Sequence, residues 1–132
     1  MGAVFGGLTD LAIRARWPGS QVPASAAVLV AAAAVYPLAR LGRAGPPGGP
    51  RREWAALGAT VGVFVVGWRT PDRVSFPLTA AAWVGHAVFD RVHERGEASL
   101  LPRWYPALCA GYDLGMAAML CRAALDRQIS DR

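Results

Sequence analysis

Residues 22–41, VPASAAVLVAAAAVYPLARL, carry no charge before Arg40. As a helix, about 20 apolar residues span roughly 30 Å, the thickness of a bilayer's hydrocarbon layer. Three further apolar stretches recur, at 54–70, 74–92 and 104–123, separated by segments rich in Pro, Gly and Arg. A helix of a soluble bundle keeps one polar face, and neither 27–34 nor 61–67 has one. Strands fit poorly, because Ala and Gly dominate and an open sheet cannot satisfy its edges in lipid. The expected fold is therefore all-α: an integral membrane bundle of four transmembrane helices plus a short N-terminal helix over 2–16, interfacial or incomplete because Asp10 interrupts it.

Composition agrees. Of 132 residues, 54% are hydrophobic and 17% charged, against roughly 25% charged in soluble domains. The length suits a single domain, 1–132. The net charge of +5 raises the question of nucleic acid, but the arginines sit between apolar runs, without interleaved aromatics, where juxtamembrane charges belong. No nucleic-acid partner is expected; the bilayer is. The N-terminus has no basic segment of the kind that opens a signal peptide. Cys109 and Cys121 lie in one apolar run, too far apart on a helix to pair with each other.

The segment 42–53, GRAGPPGGPRRE, reads as a solvated loop. Trp54 and Trp68 frame the second run as an aromatic belt would. Pro37 is expected to kink or end the first run, and Pro77 to sit in the first turn of the third. Gly58 with Gly62, and Gly111 with Gly115, form GxxxG pairs that allow close helix approach, although so Gly-rich a chain yields such pairs by composition alone. Arginines divide evenly between the two ends, so orientation stays open; the dense 42–53 loop favours itself as cytoplasmic.

Ionisable groups inside apolar segments are candidates for function. In GHAVFDRVH (85–93), His86, Asp90 and His93 fall on one helical stripe. The next run should return antiparallel. Folding at 98–99 brings His86 level with Asp113, Asp90 with Cys109 and His93 with Tyr105. Three readings follow. One is a metal site drawn from His86, Asp90, His93, Cys109 and Asp113, taking zinc or non-haem iron, with His86, Asp90 and Asp113 as the catalytic group. A second is a structural clasp, His86 with Asp113 and Asp90 with His93 or an Arg. A third is a proton relay or polar pocket. His93 also has a solvated reading, beside Glu94 and Arg95 at the water boundary. Cys109 reads equally as a small core residue, and Trp83 and Tyr112 as lipid-facing or packing residues.

The segments AAAAVYP, EWAALGATVGVFVV, GHAVFDRVH and PRWYPALCAGYD together resemble a group of uncharacterised small bacterial integral membrane proteins. That group carries a His-x-x-x-Asp-x-x-His helix followed by a Pro/Cys/Asp helix. The resemblance covers roughly residues 28–120. Phe89 stands where the group has Trp, Glu94 where it has a second His, and the N-terminal piece is shorter than a full span. The resemblance implies a multi-span fold, a bacterial inner-membrane location and the same polar residues, but no activity. The functional expectation is a metal-binding or catalytic cluster acting on a lipid-like substrate. The alternative is a non-enzymatic subunit of a homo-oligomer or membrane complex, with the cluster as its hydrogen-bond clasp.

Overall fold

The computed structural model describes residues 1–43, 49–95 and 101–130. Its elements are α1 (Gly2–Arg16), α2 (Gln21–Ala39), α3 (Gly49–Arg69), α4 (Asp72–Arg95) and α5 (Trp104–Ser130), with no strand among the described residues. The apolar runs become helices because Ala, Leu and the uncharged segments offer no competing turn chemistry. The breaks between them carry it. Gly19 and Gly42 adopt φ of 84° and 74° after α1 and α2, a conformation that favours glycine.

Consecutive helices run antiparallel. Thr79 and Val22 both reach Gly67, while Arg40 and His93 both reach Glu53 at the other end. His86 meets Asp113 and Asp72 meets Arg127, which fixes α4 against α5. α1 then closes the bundle by packing parallel to α5, with Gly2 on Leu108 and Arg14 bonded to the Met119 carbonyl at 2.9 Å. The core is a column of Leu29, Phe76, Trp83, Met116 and Leu120. Trp83, fully buried, donates from Nε1 to Ser25 Oγ at 2.9 Å. It is a packing residue and does not face outward.

Several boundaries move. α3 begins at Gly49, so 49–53 is helical and not loop; residues 44–48 of that segment lie outside the described ones. Glu53 is paired by Arg40 and His93, which ties this first turn to the bundle. α4 begins at Asp72, and Pro77 therefore stands in its second turn, on the exposed face where a lost backbone bond is cheapest. α2 runs through Pro37 to Ala39. The polar tail joins α5 as far as Ser130. The expected fold at 98–99 falls outside the described residues.

The largest correction concerns the spans. Among the described residues two helices, Gln21–Ala39 and Trp104–Ser130, are long and apolar enough to cross a membrane, with mean hydropathies of 1.9 and 1.3, where four were expected. α3 spends its first turns on Arg51, Arg52 and Glu53, and α4 carries charges at both ends together with His86, Asp90 and His93. Helices α3 and α4 therefore fall short as sequences even though they are long enough.

Of the two GxxxG pairs, one makes an interface. A side chain on Gly6 or Gly115 would strike the facing backbone at Tyr112 or Ala3 at closer than van der Waals contact. Gly58 and Gly62 have open space before them. Gly6→Leu should accordingly lower thermal stability by about 1–3 kcal/mol through overpacking. Gly58→Leu should leave the melting temperature in detergent unchanged or raised, because a better helix former replaces Gly. Equal melting shifts for the two variants would contradict the assigned α1–α5 seam.

Candidate functional site

Helix α4 buries Ser75, Phe76, Thr79, Ala80, Trp83, His86, Ala87, Asp90 and His93, a continuous three-four stripe. Its lower half is apolar core and its upper half is titratable. His86, Asp90 and Asp113 are 3%, 0% and 1% exposed, so none retains bulk hydration. His86 Nδ1 lies 2.9 Å from Asp113 Oδ2 and 3.8 Å from Asp90 Oδ1. One ligand-type atom from each of the three falls within 4.8 Å of the others. These are the residues able to hold a metal ion among the described ones.

Tyr36, from α2, holds Asp90 in place: its hydroxyl donates to Asp90 Oδ1 at 2.8 Å. The same ring meets Phe89 and His93 edge-on, at 5.4 and 5.0 Å between centroids. Burying Tyr36 thus fixes both the rotamer of Asp90 and the stack of Phe89 on His93.

His93 does not join the cluster. It points to α3, where its Nε2 lies 2.9 Å from Glu53 Oε1, while Arg40 Nε donates to Glu53 Oε2 at 2.6 Å. This second unit, Arg40–Glu53–His93, is also buried, with His93 3% exposed in place of the solvated position its neighbours suggested. The expected Asp90–His93 bond is replaced by Asp90–Tyr36. Cys109 is half-buried and a free thiol, outside the group of three. Tyr112 packs on Trp83 at 5.7 Å.

A fourth buried acid, Asp10, was expected only as an interruption of the first run. It accepts from Arg14 Nε at 2.6 Å and Gln21 Nε2 at 2.7 Å. The contrast among the acids is informative. Asp10 and Glu53 each have both oxygens partnered. Asp90 Oδ2, Asp113 Oδ1 and His86 Nε2 are buried with no hydrogen-bond partner. An unsatisfied buried polar atom costs about 1–3 kcal/mol. His93 Nε2, although 2.9 Å from Glu53 Oε1, is not aligned for a hydrogen bond either, so the contrast lies in the carboxylates: Asp90 and Asp113 each keep a bare buried oxygen, and Asp10 and Glu53 keep none.

A groove of about 490 Å³ opens between α3 and α4, with His86 and His93 in its wall and Arg52 at its rim. No protein-family model, no curated protein and no solved structure matches the chain. The geometry of these side chains is thus what bears on function.

Removing one member of a buried ion pair strands its partners, typically at a cost of about 3–5 kcal/mol. Glu53→Ala should cost that much, because Arg40 and His93 lose their shared carboxylate. Tyr36→Phe should cost about 1–2 kcal/mol, one buried hydrogen bond. Thermal unfolding of both variants in detergent checks the order; a Glu53→Ala protein as stable as wild type would contradict the pairing.

Proposed function

We propose that the protein is a small multi-pass protein of the bacterial inner membrane whose His86, Asp90 and Asp113 form an intramembrane metal centre for zinc or non-haem iron. The observation that carries the metal reading is the convergence of three buried ligand groups that each keep an unpartnered atom. Charge supports it. Two ionised carboxylates, a neutral imidazole and a divalent cation sum to zero, and a neutral group is what an apolar interior tolerates. Spacing supports it as well. Ligand atoms on one tetrahedral zinc, each about 2.1 Å from the ion, stand roughly 3.4 Å apart. The 2.9 and 3.8 Å separations about His86 Nδ1 bracket that value. Tyr36 then acts as the outer partner that orients a ligating carboxylate.

The polarity of the bundle supports the membrane reading. Asp10, Glu53, Thr79, His86, Asp90 and Asp113 are inside, while Val61, Val65, Val88, Val92 and Leu114 are exposed. That distribution is costly in water and favourable in lipid. Trp17, Trp54, Trp68 and Trp104 are all exposed, three at helix ends and Trp54 in the second turn of α3, where interfacial tryptophans are found.

A metal at this position supplies Lewis acidity or an activated water, and the natural reaction classes are hydrolysis or hydroxylation of a lipid-like substrate. A second reading is favoured by the 2.9 Å His86–Asp113 contact. There the cluster is a clasp that fixes the α4–α5 hairpin in a non-enzymatic subunit of an oligomer or membrane complex.

Elemental analysis of untagged protein in mild detergent separates the two. The expected result is near-stoichiometric zinc or iron in wild type, lost in His86→Ala and Asp113→Ala, with the helical circular dichroism signal retained. Wild type that is metal-free as purified, and takes up no zinc or ferrous iron on titration, would leave the clasp. His86→Ala would then register as a lowered melting temperature alone.

A further inference from the structure

The groove between α3 and α4 has a composition that the metal centre does not require. Its α3 wall is Ala55, Ala56 and Ala59, and across it on α4 stand Ala82 and Gly85, with Phe89 above them. Small residues on both facing stripes leave the space between the helices unfilled, so a trough stays open to the outside of the bundle. A volume of about 490 Å³ lies in the roughly 300–1,000 Å³ range of small-molecule sites. From Arg52 to Val63 the trough follows α3 for roughly 16 Å at helical rise. That is about the depth of one hydrocarbon leaflet, half of roughly 30 Å.

The two ends differ. The deep end, at Val63 and Ala82, is wholly apolar. The rim carries the exposed Arg52, which makes no ion pair among the described residues, with Arg51 its neighbour on the same helical turn. Partway down, His86 forms part of the wall. Its Nδ1 is turned to the two aspartates, so the buried and unpartnered Nε2 lies on the other side of the ring.

We infer that this trough binds a single-chain anionic lipid, its phosphate or carboxylate head at Arg52 and its chain laid between α3 and α4 past His86. Charge complementarity selects the head, and the leaflet-length apolar floor selects the chain. A bare anion would leave the floor exposed, and a neutral alkane would leave Arg52 unused. With Glu53 facing His93 and Gly67 facing Thr79, His86 stands level with Thr60, roughly 12 Å below Arg52 at helical rise. The cluster therefore addresses the chain and not the head. This names the substrate class for the metal centre proposed above and rests on that reading for any chemistry, but lipid occupancy and metal content are measured separately and can fail separately.

The experiment uses hexadecyl phosphate as probe, with hexadecanol and inorganic phosphate beside it, added to the whole protein in a non-ionic detergent and counted by native mass spectrometry. Gly85→Leu is the deciding variant: nothing lies within 4 Å of a Cβ built there, so the new side chain starts into the open trough and not into the facing backbone. The expected result is one hexadecyl phosphate per wild-type chain, with affinity reduced about tenfold or more in Gly85→Leu, where melting temperature and metal content stay as in wild type. Arg52→Gln should weaken hexadecyl phosphate by about tenfold, one charge-assisted contact, and leave hexadecanol unchanged. Equal binding by wild type and Gly85→Leu would overturn the assignment. So would saturable binding of inorganic phosphate with no gain from the chain, which would mean an arginine patch only. A dimer that Gly85→Leu dissociates, with no lipid bound to either form, would give the trough to a second copy of the chain. Loss of lipid binding with metal retained, or the reverse, tells which of the two readings has failed.

Discussion

A carboxylate that leaves water must be neutralised where it stands, and among the described residues this bundle buries four of them. Asp10, Glu53, Asp90 and Asp113 are each at most 1% exposed. Each lies where a cation or donor arrives from another element. Gln21 reaches across from α2 to Asp10, Arg40 from α2 to Glu53, Tyr36 from α2 to Asp90, and His86 from α4 to Asp113. These polar contacts set the register of the helices. Apolar packing of alanines and leucines tolerates sliding by a turn, whereas a misregistered helix would strand a buried charge at several kcal/mol. Small residues then decide how close the helices come. Gly2, Gly6 and Gly115 bring α1 onto α5. Ala59 and Gly85, both exposed, line an open trough.

The pattern of burial in α4 was legible because it obeys a single period. Ser75 through His93 follow three-four spacing, and His86, Asp90 and His93 read as one stripe before any coordinate. The level of Asp113 with His86 followed from an antiparallel return folded at 98–99, and the 2.9 Å His86–Asp113 contact agrees with it. Partners brought by non-adjacent helices were not legible. Tyr36 looked like one aromatic among alanines, and nothing in its neighbourhood marks the helix that will face it. Glu53 was hidden differently: Pro, Gly and Arg around it read as loop, and the helix begins at Gly49 because Arg40 and His93 stabilise its first turn from outside. His93 was placed at the water boundary for want of that partner. Asp10 interrupted an apolar run, and its satisfaction by Arg14 one turn on was the local signal available.

The hydropathy of single helices and the polarity of the assembled bundle give different weights to the same residues. Taken alone, α3 and α4 are too charged to count as spans. Once folded, Glu53, His86, Asp90 and His93 face inward, and what α3 and α4 present outside is Val61, Val65, Val66, Val84, Val88 and Val92. A per-helix average mixes the two faces and understates the outer one. Of the polar groups that lower their averages, the bundle conceals Glu53, His86, Asp90 and His93, while Arg51, Arg52, Arg69, Asp72, Arg73 and Arg91 stay exposed towards the helix ends.

The contrast between finished and unfinished carboxylates bears most directly on function. If burial of Asp90 and Asp113 served only to lock the hairpin, selection had cheaper means at hand, since Asp10 and Glu53 show the chain completing a carboxylate with side chains of its own. At the central cluster it stops short. Asp113 receives one nitrogen, Asp90 one hydroxyl, and the second oxygen of each is left bare alongside the far nitrogen of His86. Three bare atoms dispersed through a core would be three separate defects. Carried by three groups whose ligand-type atoms converge within 4.8 Å, beside an apolar trough that His86 helps to line, they point to a missing cation or polar ligand.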